Sequence, residues 1–352
     1  MALLIAAGYH YARLQRPRLF KDRQNPLDTD DDHSLIQQFR FPRVIIFELI
    51  HIFTEDHPFV TQRSHAIHPT LQTLVALRYF ATGSQFRLLG DRFGISKSSV
   101  SRIVKRFALS IFNRRNNFIH FDAAEIHHTS IGFSEIANFP NVCGCIDGSQ
   151  FAIKSPSIDE PAYVNRKGFH SINGQAICSA DFTFSDIVIR YPGSTHDAFI
   201  FRFSGISQRF QQNEFGESWL LGDSGYPNLP YLLVPLANPV TPAERAYNRA
   251  HKKTRVTIER SFGILKSRFM ALSHKLSGPL LFTPDIACRI IVCCCCLHNI
   301  ARRANLPDPE EIENDVLDEA ENGLQNILGL NYAAVNGEAV RARLIAQRFG
   351  NV

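Results

Sequence analysis

A chain of 352 residues, 45% of them hydrophobic and 20% charged, has an ordinary soluble globular composition, with room for one large domain and a smaller one or for two of ordinary size. No apolar run reaches membrane-spanning length; Ala2 to Ala7 is too short, lacks the basic lead of a signal peptide, and reads as part of a helix. The net charge of +5 is modest, and the eight cysteines, at 143, 145, 178, 288 and 293 to 296, are clustered in apolar segments, which is unlike a spaced disulfide framework and favours a reducing compartment.

Residues 1 to 40 are a polar lead-in that predicts a helix and then a loop through the acidic run Asp28 to Asp32. A helical domain is expected over 41 to 138. Val44, Ile45, Phe47, Leu49, Ile50, Ile52 and Phe53 follow Phe41-Pro42 as a buried helix, and Leu71, Leu74, Leu77 and Phe80 follow Pro69 at helical spacing. The segment from about 84 to 106 then has the form of a helix-turn-helix. Gly94 can take the tight turn, Ser96 can cap the second helix, and Val100, Ile103 and Val104 face inward. That leaves Lys97, Ser98, Ser101, Arg102 and Lys105 for phosphates or base edges. From Ser84 to Asn117 eight Lys and Arg stand against Asp91 alone, an electrostatic footprint for nucleic acid that the solvated face of a plain helical hairpin would also produce.

From 139 to 305 the character is α/β. Residues 142 to 154, 171 to 180 and 185 to 191 read as three consecutive strands, the last two joined at Asp181 to Phe184. Pro192 to Asp197 leads into a helix at Ala198 to Phe201, Trp219 to Asp223 is a short buried strand ending in a carboxylate, and Ser224 to Pro227 turns the chain away. A long helix is expected over 244 to 270, with Ile258, Phe262, Leu265 and Phe269 on one face and Glu259 on its flank; here nine Lys and Arg oppose two Glu up to Lys275. A last apolar helix runs from Ile286 to Ile300. Its Cys293 and Cys296 form a CxxC near His298, but no second pair stands at zinc-ligand spacing, so they read as small apolar core residues. The 306 to 352 tail opens with eight acids between Asp308 and Glu321 and reads as loose, with short helices near Leu317 and over 338 to 348; it would shield the basic surface. No internal repeat is present.

An ionised Asp in a half-buried strand is costly unless it is paired, hydrogen-bonded or bound to a metal, which makes Asp147, flanked by Gly144 and Gly148, a candidate metal ligand. Three strands with an Asp on the first, a helix, a fourth strand ending in Asp and a later helix bearing Glu form the layout of an RNase H-like domain. Asp147, Asp223 and Glu259 fall in that order. Two divalent ions about 3.5 to 4 Å apart need several carboxylates for in-line phosphoryl transfer, and hard oxygen ligands select Mg²⁺ or Mn²⁺. Each carboxylate also has a local role open to it: Asp147 in an Asp-Gly turn, Asp197 as a helix N-cap, Asp223 as a strand-end turn former, and Glu259 as an i,i+4 partner of Arg255.

Six ordered motifs carry a resemblance: Gly144-Cys145-Ile146-Asp147-Gly148, Tyr163-Val164-Asn165-Arg166-Lys167-Gly168, Pro192-Gly193-Ser194-Thr195-His196-Asp197, Leu221-Gly222-Asp223-Ser224-Gly225-Tyr226-Pro227, Tyr247-Asn248 and Ile258-Glu259-Arg260-Ser261-Phe262-Gly263. Together they resemble the DDE domain of PIF/Harbinger-type transposases over about residues 40 to 305. The resemblance implies a catalytic triad of Asp147, Asp223 and Glu259, with Asp197 as a further metal ligand, and a transposase-derived, metal-dependent DNA nuclease that hydrolyses a phosphodiester to leave a 3′-hydroxyl. It implies a nuclear protein with a cytoplasmic pool, a Myb-like DNA-binding partner, and room for oligomerisation. Arg166, Lys167, Arg249, Lys252 and Lys253 are candidates for the DNA backbone, and His196 for positioning water or substrate. A non-catalytic DNA-binding protein on the same fold is the alternative; a phosphoesterase acting on small substrates would leave the helix-turn-helix unexplained.

Overall fold

In the computed structural model, which describes residues 23–58, 65–309 and 331–350, the chain is organised around one long strand, β1 (Val142–Ala152). It pairs antiparallel with β2 (Ser171–Cys178), which pairs antiparallel with β3 (Phe184–Pro192). On its other side β1 pairs parallel with β4 (Trp219–Leu221), and β4 with β5 (Leu232–Leu233), giving the order β3-β2-β1-β4-β5. Side chains alternate across a strand, and β1 shows this in its packing. Cys145 belongs to the large hydrophobic cluster on one side of the sheet, while Ile146 belongs to a smaller one with Phe201, Phe210 and Tyr226 on the other. Asp147 therefore follows Cys145, and Gly148 follows Ile146.

Besides short helical turns at Pro26–Thr29 and Arg115–Phe118, the helices before the sheet are α1 (Asp32–Phe39), α2 (Arg43–Asp56), α3 (Pro69–Thr82), α4 (Phe86–Phe93), α5 (Lys97–Asn113) and α6 (Ile126–Ala137). Phe53, Phe80 and Phe107 of these helices share a single buried cluster with Phe151 and Phe184 of the sheet. Between β3 and β4 lie α7 (Asp197–Arg202) and α8 (Gly205–Gln211). After β5 come α9 (Pro242–Arg268), α10 (Pro284–Arg303) and α11 (Asn331–Leu344), the last continued by a π-turn over Ile345–Phe349.

α9 starts sharply because Thr241 and Glu244 form a reciprocal capping box. The α4–α5 turn is built as such turns must be: Gly94 takes φ +63° and the Ser96 hydroxyl accepts the Ser99 N–H at 3.1 Å. Val100, Ile103 and Val104 are buried there.

Several expectations need correction. The acidic run is not a plain loop: Pro26–Thr29 is helical and Asp31 caps α1 by accepting from Ser34 N–H at 2.8 Å, since Asp is a better cap than coil residue. Among the described residues one helix, Pro284–Arg303, is long and apolar enough to cross a membrane by length and composition, with 67% of its most apolar window buried inside the protein. α6, α8 and β5 carry too short or too mixed a pattern to be seen in advance. The tail helix spans 331–344 where a shorter element over 338 to 348 was expected. The segments at Ala2 to Ala7 and around Leu317 lie outside the described residues.

All the cysteines are free thiols, and only Cys288 is not fully buried. Burial pushes the thiols up, Cys178 and Cys296 to about 12, so they are inert fillers of the core. His298, the histidine near the CxxC, holds its Nε2 2.9 Å from the Phe182 carbonyl.

Candidate active site

Asp147 sits inside β1 and not in a turn, and its neighbours explain how a carboxylate is tolerated there. Its Oδ1 accepts the Gly148 N–H at 2.8 Å, and its Oδ2 accepts Arg255 Nη1 at 2.9 Å. The other arm of the same guanidinium donates to Glu259 Oε1, one turn on along α9. Asp147, Arg255 and Glu259 are each about one-fifth exposed. Asp223 joins them through strand register. Asp147 and Asp223 each lie two residues beyond the Cys145–Leu221 pair, which sets them side by side where β4 leaves the sheet. Asp223 Oδ1 accepts the Gly225 N–H at 3.0 Å, the local turn contact that also fixes its direction.

Asp197 approaches from the other face. It is the first residue of α7, not its N-cap, a position held by His196. Asn173 Nδ2 donates to its Oδ1 at 2.7 Å, and Gln175 Nε2 donates to its backbone carbonyl at 2.9 Å and to the Tyr226 hydroxyl at 2.8 Å. The carboxylate lies directly over Gly148, where a Cβ would fall 2.3 Å from Asp197 Oδ1. Gly148→Ala is therefore expected to displace the Asp197 carboxylate while β1 stays paired, since the obstructed atoms are all in that one side chain. Cleavage should fall at least about tenfold, the cost of about 1.4 kcal/mol in positioning. Unchanged cleavage together with a folded circular-dichroism spectrum would remove Asp197 from the site.

Electrostatics tie the two faces together. Burial pushes the Asp147 carboxyl up to about 8; Arg255 pulls it back, and Asp223 and Asp197 add to the push. Burial raises Tyr226 well above the ordinary phenol range, with Asp197, Asp147 and Asp223 adding to it. Against burial, Asp147, Glu259 and Asp223 hold the Arg255 guanidinium up.

Among the described residues no three His, Cys, Asp or Glu side chains stand at metal-ligand spacing. The reason is visible: Arg255 stands between Asp147 and Glu259, and Asp197 lies across the strand. The donor chemistry nevertheless fits a hard divalent cation. All four groups offer carboxylate oxygens, burial disfavours the Asp147 charge in spite of Arg255, a cost that a cation would offset, and Asn173 Oδ1, buried beside Asp197, has no hydrogen-bond partner among the described residues.

The candidate DNA contacts fall in three places. Lys97, Ser98, Arg102 and Lys105 are exposed along α5, with Ser101 partly so. Arg166 and Lys167 are exposed on the loop between Val164 and His170, and Arg166 Nη2 lies 2.8 Å from His196 Nδ1 beside Asp197. Arg249, Lys252 and Lys253 are exposed on α9, with Lys252 two turns before Glu259 on the same stripe.

Sequence reasoning missed Asn173, Gln175 and the double role of Arg255. The first two left a signal, two amides at i and i+2 in an otherwise apolar strand, which puts both on one face. Nothing in the sequence showed that Arg255 would reach β1 as well as Glu259.

Residues 146–299 match a family model described as a DDE superfamily endonuclease. Over 277 residues the chain is 38% identical to two relatives named "Putative nuclease HARBI1", from Bos taurus and from Homo sapiens, covering 78% of this chain and 79% of each relative. "Protein ALP1-like" of Arabidopsis thaliana is 28% identical over 249 residues, covering 64% of this chain and 59% of its own. No solved structure matches the chain. The mixed five-stranded sheet with its α/β layering fits a DDE endonuclease domain.

Proposed function

The chain belongs to the Harbinger transposase-derived nuclease family, and from that premise we propose that it is a divalent-metal-dependent DNA endonuclease with an RNase H-like catalytic domain. The observation that carries this reading is the convergence of carboxylates from separate elements: the Asp197 carboxylate lies over Gly148 next to Asp147, Asp147 and Asp223 each follow the Cys145–Leu221 pair by two residues, and Glu259 is joined to Asp147 through Arg255. These four carboxylates would hold Mg²⁺ or Mn²⁺. Bound there, the metal would lower the pKa of the attacking water and neutralise charge on the leaving oxygen.

The chain's own groups do the rest. The Gly148 and Gly225 amides and the Asn173 side chain orient Asp147, Asp223 and Asp197. Arg166, Lys167, Arg249, Lys252 and Lys253 are exposed, Arg166 through His196 next to Asp197 and the last three on the helix that bears Glu259, and would grip the phosphate backbone, so affinity would fall steeply with salt. Lys97, Ser98, Ser101, Arg102 and Lys105 on the α4–α5 pair would take a further stretch of duplex as a helix-turn-helix does.

A second reading has one observation in its favour. Arg255 already neutralises Asp147 and Glu259, as it would in a protein that binds DNA without cutting it. Nicking of supercoiled plasmid separates the two: the protein is expected to nick in Mg²⁺ or Mn²⁺ and to stop when EDTA removes the metal. DNA binding without nicking in either cation would favour the silent DNA-binding protein. Residence in the nucleus with a cytoplasmic pool, and entry with a Myb-like partner, belong to the same proposal and rest on the resemblance alone.

A further inference from the structure

Beyond the carboxylates, α7 and the edge strand β3 carry a surface that the nuclease reading leaves unused. Phe199 and Phe203 occupy i and i+4 of the α7 turn and remain 43% and 50% exposed, with ring centroids 4.7 Å apart. Tyr191 of β3 meets Phe199 edge-on at 6.0 Å. Two exposed arginines frame the rings, Arg190 with its guanidinium 5.1 Å from the Tyr191 centroid and Arg202 5.6 Å from that of Phe203. Arg190 Nη2 also reaches the Phe203 carbonyl at 3.4 Å, which ties strand to helix. Among the described residues neither arginine is paired with a carboxylate.

The position of this surface matters as much as its chemistry. Tyr191 is the register partner of Asn173, whose amide holds the Asp197 carboxylate. α7 begins at Asp197 itself. The rings therefore stand one strand and one helical turn from a candidate metal ligand.

Exposed large aromatics are costly to leave in water, and a partner protein would be expected to cover them with apolar side chains. The flanking guanidiniums argue for a different occupant. Aromatic faces take successive unpaired bases irrespective of sequence, while arginines beside them meet the phosphates between those bases. A fully paired duplex offers phosphates but no free base face. We propose that Tyr191, Phe199 and Phe203, with Arg190 and Arg202, form a stacking platform for unpaired nucleotides of a DNA strand opened next to the catalytic carboxylates. The proposal rests on the nuclease reading and adds to it the form of the substrate: a strand locally unpaired at the cut.

The test compares binding of a fluorescein-labelled oligothymidine with that of a random-sequence duplex of equal length, measured by anisotropy in EDTA, for wild type, Phe199→Ser/Phe203→Ser and Arg190→Gln/Arg202→Gln. The phenylalanine variant is expected to bind the single strand about tenfold or more weakly, given about 1 to 3 kcal/mol per stacked base, and the duplex within about twofold of wild type. The arginine variant should lose single-strand affinity and salt dependence together. Equal losses on both DNA forms, or an unchanged single-strand affinity in a folded variant, would overturn the platform while leaving the nuclease reading intact. A wild type that binds neither DNA form would overturn both. If sedimentation shows a wild-type dimer that the phenylalanine variant dissolves, the surface belongs to a second copy of the chain and the proposal fails.

Discussion

Asp147→Asn and Glu259→Gln proteins are expected to lose plasmid nicking by about a thousandfold while keeping their DNA affinity in EDTA. The magnitude follows from the task assigned to these groups: a carboxylate that holds a catalytic cation controls several kcal/mol of transition-state charge, and about 4 kcal/mol is a factor of about 10³. The fold should survive both changes. Asn at 147 keeps the volume and the contact with the Gly148 N–H, and it removes a charge that burial already disfavours. Gln at 259 releases one arm of Arg255, whose other arm stays on Asp147. Arg166, Lys167 and the exposed cations of α9 and α5, proposed to hold the DNA backbone, are untouched, so binding in EDTA should persist. Nicking at the wild-type rate from either folded variant would show that the cut is made elsewhere and would favour the silent DNA-binding reading.

The legible parts of this site were those in which residue type and local context conflict. Asp147 in an apolar strand was such a conflict, and so was Asp223 at the end of Trp219-Leu220-Leu221. Charge on a helix flank exposed Glu259 in the same way. The turn at Gly94 and the cap at Ser96 between α4 and α5 could be read because both residues are punctuation with a mechanism. What stayed hidden depends on which strand lies beside which. Asp197 sits over Gly148 only because β1 and β2 are paired with Gly148 opposite Gln175, and sequence spacing says nothing of that register. β5, at two residues, is too short to carry a period. The shared core of the α helices and the sheet was invisible for the same reason, since Phe53 and Phe80 pack on Phe107 of α5, and α10, distant in sequence from both, packs against α5 and β3 alike.

Arg255→Ala is expected to make the protein's stability depend on divalent cations. In the wild type one guanidinium compensates Asp147 and Glu259 at once, both largely withdrawn from water. Removing one partner of a buried ion pair costs about 3 to 5 kcal/mol, because the charge left behind is uncompensated. Here two carboxylates are left, with Asp223 beside them. A cation that binds the native but not the unfolded chain returns stability in proportion to the logarithm of its concentration over its Kd. The alanine variant should therefore unfold at lower urea than wild type in EDTA and recover much of the difference as Mg²⁺ or Mn²⁺ is added, while the wild type, whose arginine competes for the same oxygens, responds less. Calorimetric titration of Mn²⁺ into the two proteins provides the independent check, with tighter binding expected for the variant. If Arg255→Ala is destabilised and Mn²⁺ restores nothing, the carboxylates around it form an ion-pair network and no cation site. If it binds Mn²⁺ more tightly, Arg255 is the group that a metal must displace, and the arrangement seen here is the resting form of the site.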